Sequence, residues 1–191
     1  MKSVSVSGSL RENVGKKDAK NQRRNGFVPS VLYGGEKQLP LLVEEKSFKD
    51  LIYTPEVRYV ELDVDGQNYK AVIQETQFDK VTDKLLHVDF LEIIEGKHIT
   101  IEIPLLIAGN SPGVMRGGKL SKQVRKLKVK GLLENIPENI TVDISKLDIL
   151  DTIKIEDIQL EKISIIDIPS KVVVTILSSR NVEETTEEEK E

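Results

Sequence analysis

Apolar residues recur at every second position through most of this chain, and that period predicts strands. Val4 to Leu10 alternates and reads as a first strand, closed by Arg11. Val57–Val64 and Tyr69–Ile73 alternate on either side of Asp65-Gly66, a hairpin-turn dipeptide. Leu85–Ile94 is the next strand, with Leu86, Val88 and Phe90 on one face and His87 and Asp89 side by side on the other. Gln74 and Gln77 are expected in an edge-like connection before it. Two stretches break the period of two. Residues 15–24 are almost wholly polar and set Lys16, Lys20, Arg23 and Arg24 at i, i+4, i+7 and i+8, which predicts a short helix with a cationic face. With so little apolar surface, that helix is weak in isolation. Asn25-Gly26 lets it stop, and Phe27–Tyr33 then reads as buried chain broken at Pro29. Ser47, with Asp50 three residues on, predicts the cap of a second helix that buries Phe48, Leu51 and Ile52.

Beyond Glu95-Gly96-Lys97-His98 the composition shifts: isoleucine and valine rise, and no tyrosine occurs after Tyr69. Short alternating runs follow at Ile99–Ile103, Val124–Lys130, Ile140–Ile144, Ile153–Ile158 and Val172–Ile176. They predict an all-β second domain of sandwich or barrel type. The expected organisation is a first domain over residues 1–94, a β-rich second domain over 95–181, and an acidic, disordered tail over 182–191.

Composition narrows the chemistry. The 191 residues include no cysteine, which excludes thiol catalysis, disulfides and cysteine metal sites. The alternating N-terminus reads as a strand rather than a signal peptide, and no apolar run approaches a membrane span. A cytoplasmic address is expected. The net charge of −4 argues against a nucleic-acid binder until its distribution is drawn out. Residues 1–34 carry seven cations and two acids, and residues 182–191 carry six glutamates and one lysine. Salt screens charge beyond about 10 Å, so local charge decides phosphate binding. The basic head, with Tyr33 at the far end of its turn, suits an anionic partner that stacks, and RNA is the first candidate.

Three further groups are candidates for chemistry. Gly113–Lys119 has the spacing of a phosphate loop, but Leu120 stands where Ser or Thr would hold magnesium, and the next segment alternates like a strand rather than a helix. His87 and Asp89 have no recognisable nucleophile, and two distant histidines without cysteine make no metal site. No cofactor, metal or catalytic role is expected. Arg116, Lys119, Lys122, Arg125, Lys126, Lys128 and Lys130 form a second basic run with no acid between them. It reads as a face for RNA or protein, or as lysines protecting an edge strand.

Several motifs occur in order: Arg11, Gly15-Lys16, Arg23-Arg24-Asn25-Gly26, Val28-Pro29-Ser30-Val31-Leu32-Tyr33-Gly34, Gln74, Gln77 and His87-Val88-Asp89-Phe90. Ile103-Pro104-Leu105, Gly109, Gly113-Val114, Gly117-Gly118, Ile136-Pro137 and Val142-Asp143 follow. Over about residues 3–177 the chain resembles bacterial large-subunit ribosomal protein twenty-five in its CTC (general stress protein) form. The resemblance implies a mainly β (α+β) chain. Its N-terminal domain would be a six- to seven-stranded β-barrel-like RNA-binding fold with short helices, followed by a C-terminal all-β domain. It implies a structural role in the large ribosomal subunit, with 5S rRNA bound at the loop E minor groove and neighbouring ribosomal proteins as further partners. Arg11, Lys16, Arg23, Arg24, Tyr33, Gln74, Gln77, His87 and Asp89 fall where the family makes its RNA contacts, and Lys20 joins them on the helical stripe. Gln22 stands where the family commonly has leucine, which predicts a less firmly docked helix. The alternatives are a protein-interaction β module with an incidental basic head, and a nucleotide-phosphate-dependent enzyme using the Gly113–Lys119 loop.

Overall fold

The computed structural model describes residues 2–35, 37–54, 56–160 and 162–178. The expected acidic tail over 182–191 lies outside the described residues. The chain divides into two compact units. One takes the residues through Ile101 with Leu132–Ile136, and the other takes Glu102–Gly131 and the described residues from Pro137 on.

The first unit contains β1 (Lys2–Leu10), α1 (Lys16–Arg24), β2 (Phe27–Tyr33), β3 (Leu39–Glu44), α2 (Lys49–Ile52), β4 (Arg58–Val64), β5 (Gln67–Phe78) and β6 (Leu85–Glu92). Its six strands close a barrel in the order β1-β3-β2-β6-β5-β4. β1 and β4 run parallel, as do β2 and β6, and the other contacts are antiparallel. Asp65 (φ 50°) and Gly66 (φ 85°) turn β4 into β5, with both central residues in the left-handed region that this tight hairpin demands. Inward-facing Val6, Val28, Leu32, Leu41, Val43, Val60, Leu62, Val88 and Phe90 fill the barrel. Phe48 enters it and stacks on Phe90, ring centroids 6.1 Å apart.

Three local expectations are corrected. Pro29 does not break its strand: β2 runs through it, and pairing with β6 begins only at Ser30. At Pro29 that side of β2 is an edge, where sheets tolerate a missing N–H. Ser47 does not cap a helix: a 3-10 turn over Glu45–Phe48 runs directly into α2, with no side-chain cap. Glu45 N–H donates to the Gly26 carbonyl, and burial of Phe48 draws the chain inward, so it is already turning at Ser47. Gln74 and Gln77 lie within β5, not in a connection, because β5 is long enough to pair with β6 down to Phe78.

The second unit holds the residues of β7 (Ile99–Ala108) from Glu102 on, α3 (Pro112–Met115), β8 (Lys119–Lys122), β9 (Lys126–Gly131), β10 (Ile140–Asp143), β11 (Thr152–Lys154), β12 (Ser164–Ile165) and β13 (Val172–Leu177). They form a sheet in the order β10-β7-β9-β12 and another in the order β11-β13-β8. Alternation buries Ile103, Leu105, Leu127, Val129, Ile140, Val142, Val174 and Ile176.

Candidate nucleic-acid interface

α1 fully buries no residue, and polar contacts fix both of its ends. Arg11, at the end of β1, supplies the first. Its Nε and Nη2 both donate to Asp18 Oδ2, at 3.0 and 2.9 Å, and Nη2 also donates to the Gly15 carbonyl at 3.1 Å. Asp18 lies in the first turn, where a carboxylate also suits the helix dipole. Gln22 Nε2 approaches the other Asp18 oxygen at 3.4 Å, a weak polar contact. Arg23 fixes the far end, its Nε donating to the Leu86 carbonyl at 2.9 Å. Gly26 (φ 84°) then releases the chain into β2. Pinned in this way, α1 presents Lys16, Lys20 and Arg24 to solvent along one stripe.

The neighbouring barrel wall is shaped by two irregularities in the β5–β6 ladder. Ile73 pairs with Phe90 but Glu75 pairs with Asp89, so Gln74 is an extra residue on β5. An extra residue reverses the inward–outward parity of everything after it. Glu75 therefore shares the outer face with Asp89, and Gln77 shares it with His87. At the second irregularity Gln77 pairs with His87 and Phe78 with Leu85, which leaves Leu86 as the extra residue on β6. A bulged residue has no ladder partner, and the Leu86 carbonyl is the one that Arg23 takes.

On the outer face Asp89 Oδ1 lies 2.7 Å from His87 Nδ1. A neutral ring that donates from Nδ1 to Asp89 leaves Nε2 as an acceptor. The two side chains are 30% and 27% exposed, reachable yet held. Val31 stands opposite Asp89 from β2, and Tyr33, two residues on, shares that face. Burial raises the Tyr33 phenol above its ordinary range, and the charges of Asp89 and Glu75 push the same way. The neutral hydroxyl can donate on this face, close enough to Asp89 and Glu75 to feel their charge.

Of the residues expected from sequence, Tyr33, Gln77, His87 and Asp89 meet on one wall, with Gln74 exposed at its bulge. Lys16, Lys20 and Arg24 meet on the helix, and Arg23 joins helix to wall. Arg11 stands apart: its side chain is only 10% exposed and turned onto Asp18. Glu75 was missed. It sits between Gln74 and Gln77, but alternation alone cannot signal a bulge.

The Gly113–Lys119 loop has no cradle to offer a phosphate. Gly113, Gly117 and Gly118 direct their N–H groups to the Leu147, Val114 and Gly113 carbonyls, and Leu120 continues into β8. Its helix, α3, is a single turn.

Residues 6–90 match the model of the ribosomal L25p family, and residues 98–180 match that of the ribosomal protein TL5 C-terminal domain. The chain is 38% identical to the large ribosomal subunit protein bL25 of Porphyromonas gingivalis over 182 residues, covering 94% of this chain and 95% of that protein. It is 40% identical to the protein of the same name from Cytophaga hutchinsonii over 184 residues, covering 96% of each. It is also 40% identical to that of Phocaeicola vulgatus over 187 residues, covering 94% of each.

Proposed function

Since the chain belongs to the ribosomal L25p family, and is thus a structural protein of the large ribosomal subunit rather than an enzyme, we propose that its first unit binds 5S rRNA at the loop E minor groove. One observation carries this reading. A cationic stripe on α1 is pinned, through Arg23 and Leu86, beside a wall whose outward residues are hydrogen-bonding groups in register.

A-form RNA exposes base edges and 2′-hydroxyls in its wide, shallow minor groove, and its deep major groove is closed to side chains. An outward strand face suits that groove. His87 Nε2, Asp89 and Glu75 accept from guanine amino groups or ribose hydroxyls. Gln74 and Gln77 both donate and accept, and Tyr33 donates. Lys16, Lys20 and Arg24 neutralise phosphates, as do the Arg23 nitrogens not used on Leu86. Phosphate contacts position the protein and base-edge contacts specify the site. Arg11 contributes by holding α1 through Asp18 rather than by touching RNA. The protein acts on the cytoplasmic ribosome.

The test is titration of the full chain with 5S rRNA, beside a length-matched random RNA duplex, across a series of salt concentrations. The expected result is a preference for 5S rRNA that persists as salt rises. Equal affinity for both, lost together with salt, would reduce the site to an electrostatic patch.

A further inference from the structure

The second unit carries its own charged face. β9 buries Leu127, Val129 and Gly131 and turns Lys126, Lys128 and Lys130 to solvent. Edge strands commonly carry lysines to block pairing with other chains, but β9 is no edge. It lies between β7 and β12. Ser164 and Ile165 pair with Lys130 and Val129, Ile166 N–H donates to the Lys128 carbonyl, and on the other side Leu105 N–H donates to the Arg125 carbonyl. Protection of an open edge therefore does not account for the three lysines.

Nor does internal pairing. Among the described residues, no ion pair joins any of the three to a carboxylate. Other cations of the same run are engaged: Arg116 pairs with Asp148 at 2.6 Å, and Lys122 Nζ donates to the Leu105 carbonyl. Asp167 is close by, yet it accepts the Lys128 backbone N–H. Glu102, exposed on β7, makes no ion pair with the lysines. Three like charges spaced two strand residues apart, about 6.6 Å each, repel within one screening length of about 10 Å. The face is complementary to a linear polyanion whose charges repeat at a similar interval, as the phosphates of one nucleic-acid strand do.

We propose that Lys126, Lys128 and Lys130 form a second RNA-binding face, on which successive phosphates of one rRNA strand lie along β9. Binding there is backbone binding, salt-sensitive and indifferent to base sequence, because lysine ammoniums are point charges without base-reading geometry. The face is independent of the first unit's reading: loss of 5S preference there would leave it standing.

The test uses the full chain with α1 silenced by Lys16→Ala, Lys20→Ala and Arg24→Ala, and a mixed-sequence A-form RNA duplex as probe. Affinity is measured by fluorescence anisotropy over a salt series. Adding Lys126→Gln, Lys128→Gln and Lys130→Gln should lower the slope of log affinity against log salt by about 2 to 3, at roughly 0.9 per phosphate. Arginine at the same three positions should keep the slope. An unchanged slope in the glutamine variant, with an unchanged unfolding curve, would overturn the proposal. So would a lysine-dependent slope that emerges only after residues 183–191 are deleted, because the face would then belong to the chain's own glutamates.

Discussion

The Nε of Arg23 donates, at 2.9 Å, to the carbonyl of Leu86, the one residue of β6 that the second bulge leaves without a partner on β5. A ladder irregularity and a helix with no buried residue thus satisfy each other. The contact is directional. Lysine at position 23 keeps the charge but lacks the planar fork that meets a carbonyl while offering other N–H groups outward. Arg23→Lys and Arg23→Ala should both speed amide exchange through Asn21–Asn25 and lower stability by about 1 kcal/mol, read from urea unfolding. Wild-type protection in both variants would mean that α1 is held by other contacts.

Arg11 and Asp18 should behave as a coupled pair. Arg11→Ala should weaken 5S rRNA binding although its guanidinium faces Asp18, because α1 loses its N-terminal anchor. A double-mutant cycle with Asp18→Asn should give a coupling of about 1 kcal/mol in stability, as for a partly exposed ion pair in which two guanidinium N–H groups share one carboxylate oxygen. Additive effects would refute the anchoring role.

His87→Ala and Asp89→Asn should reduce discrimination between 5S rRNA and random duplex, by about 1–3 kcal/mol for loss of a good base-edge contact, while duplex affinity stays near wild type. Lys16→Ala should do the reverse, lowering both affinities together and reducing the salt slope by about 0.9. Competition binding of both RNAs to each variant separates the two classes.

The raised pKa of Tyr33 has a defined sign. Burial first, then Asp89 and Glu75, favour the neutral phenol in the folded state. The associated stability is present below the phenol's ordinary pKa and is lost as pH rises through the folded value. Asp89→Asn and Glu75→Gln should each lower the Tyr33 pKa without fully restoring it, since burial remains. Ultraviolet difference titration, with Tyr33→Phe to assign the signal, measures this.

Asp79 works in the opposite direction. Its Oδ1 accepts N–H bonds from Thr82 at 2.9 Å and Val81 at 3.0 Å, and these bonds, Thr82 first, hold its pKa below the usual carboxylate range. The order they give the β5–β6 connection is present above that range and is lost as pH falls through the folded value. The Val81 and Thr82 amide resonances should titrate together at low pH. Asp79→Asn should abolish that titration.

Much of this protein follows from its sequence alone, because the signals involved are local. A period of two set the strands, and it put His87 and Asp89 together on the outer face, since neighbours at i and i+2 share a side whatever the partner strand. Asp65-Gly66 fixed a hairpin and Gly26 a helix end, because left-handed backbone is a property of one or two residues. The helical spacing of Lys16, Lys20 and Arg24 gave the cationic stripe. Tertiary structure decided whatever depends on register or on a distant partner. The extra residue at Gln74 reversed parity and put Glu75 beside Asp89, and nothing in the local pattern distinguishes a bulge from a continuing strand. Arg11 looked like one more surface cation until Asp18 took it. Pro29 looked like a break until the late start of β6 pairing made room for it. The lysines of β9 looked like edge protection until β7 and β12 closed on either side. In each case the deciding contact joins residues that the chain's own period leaves unrelated, and only closure of the sheets brings them together.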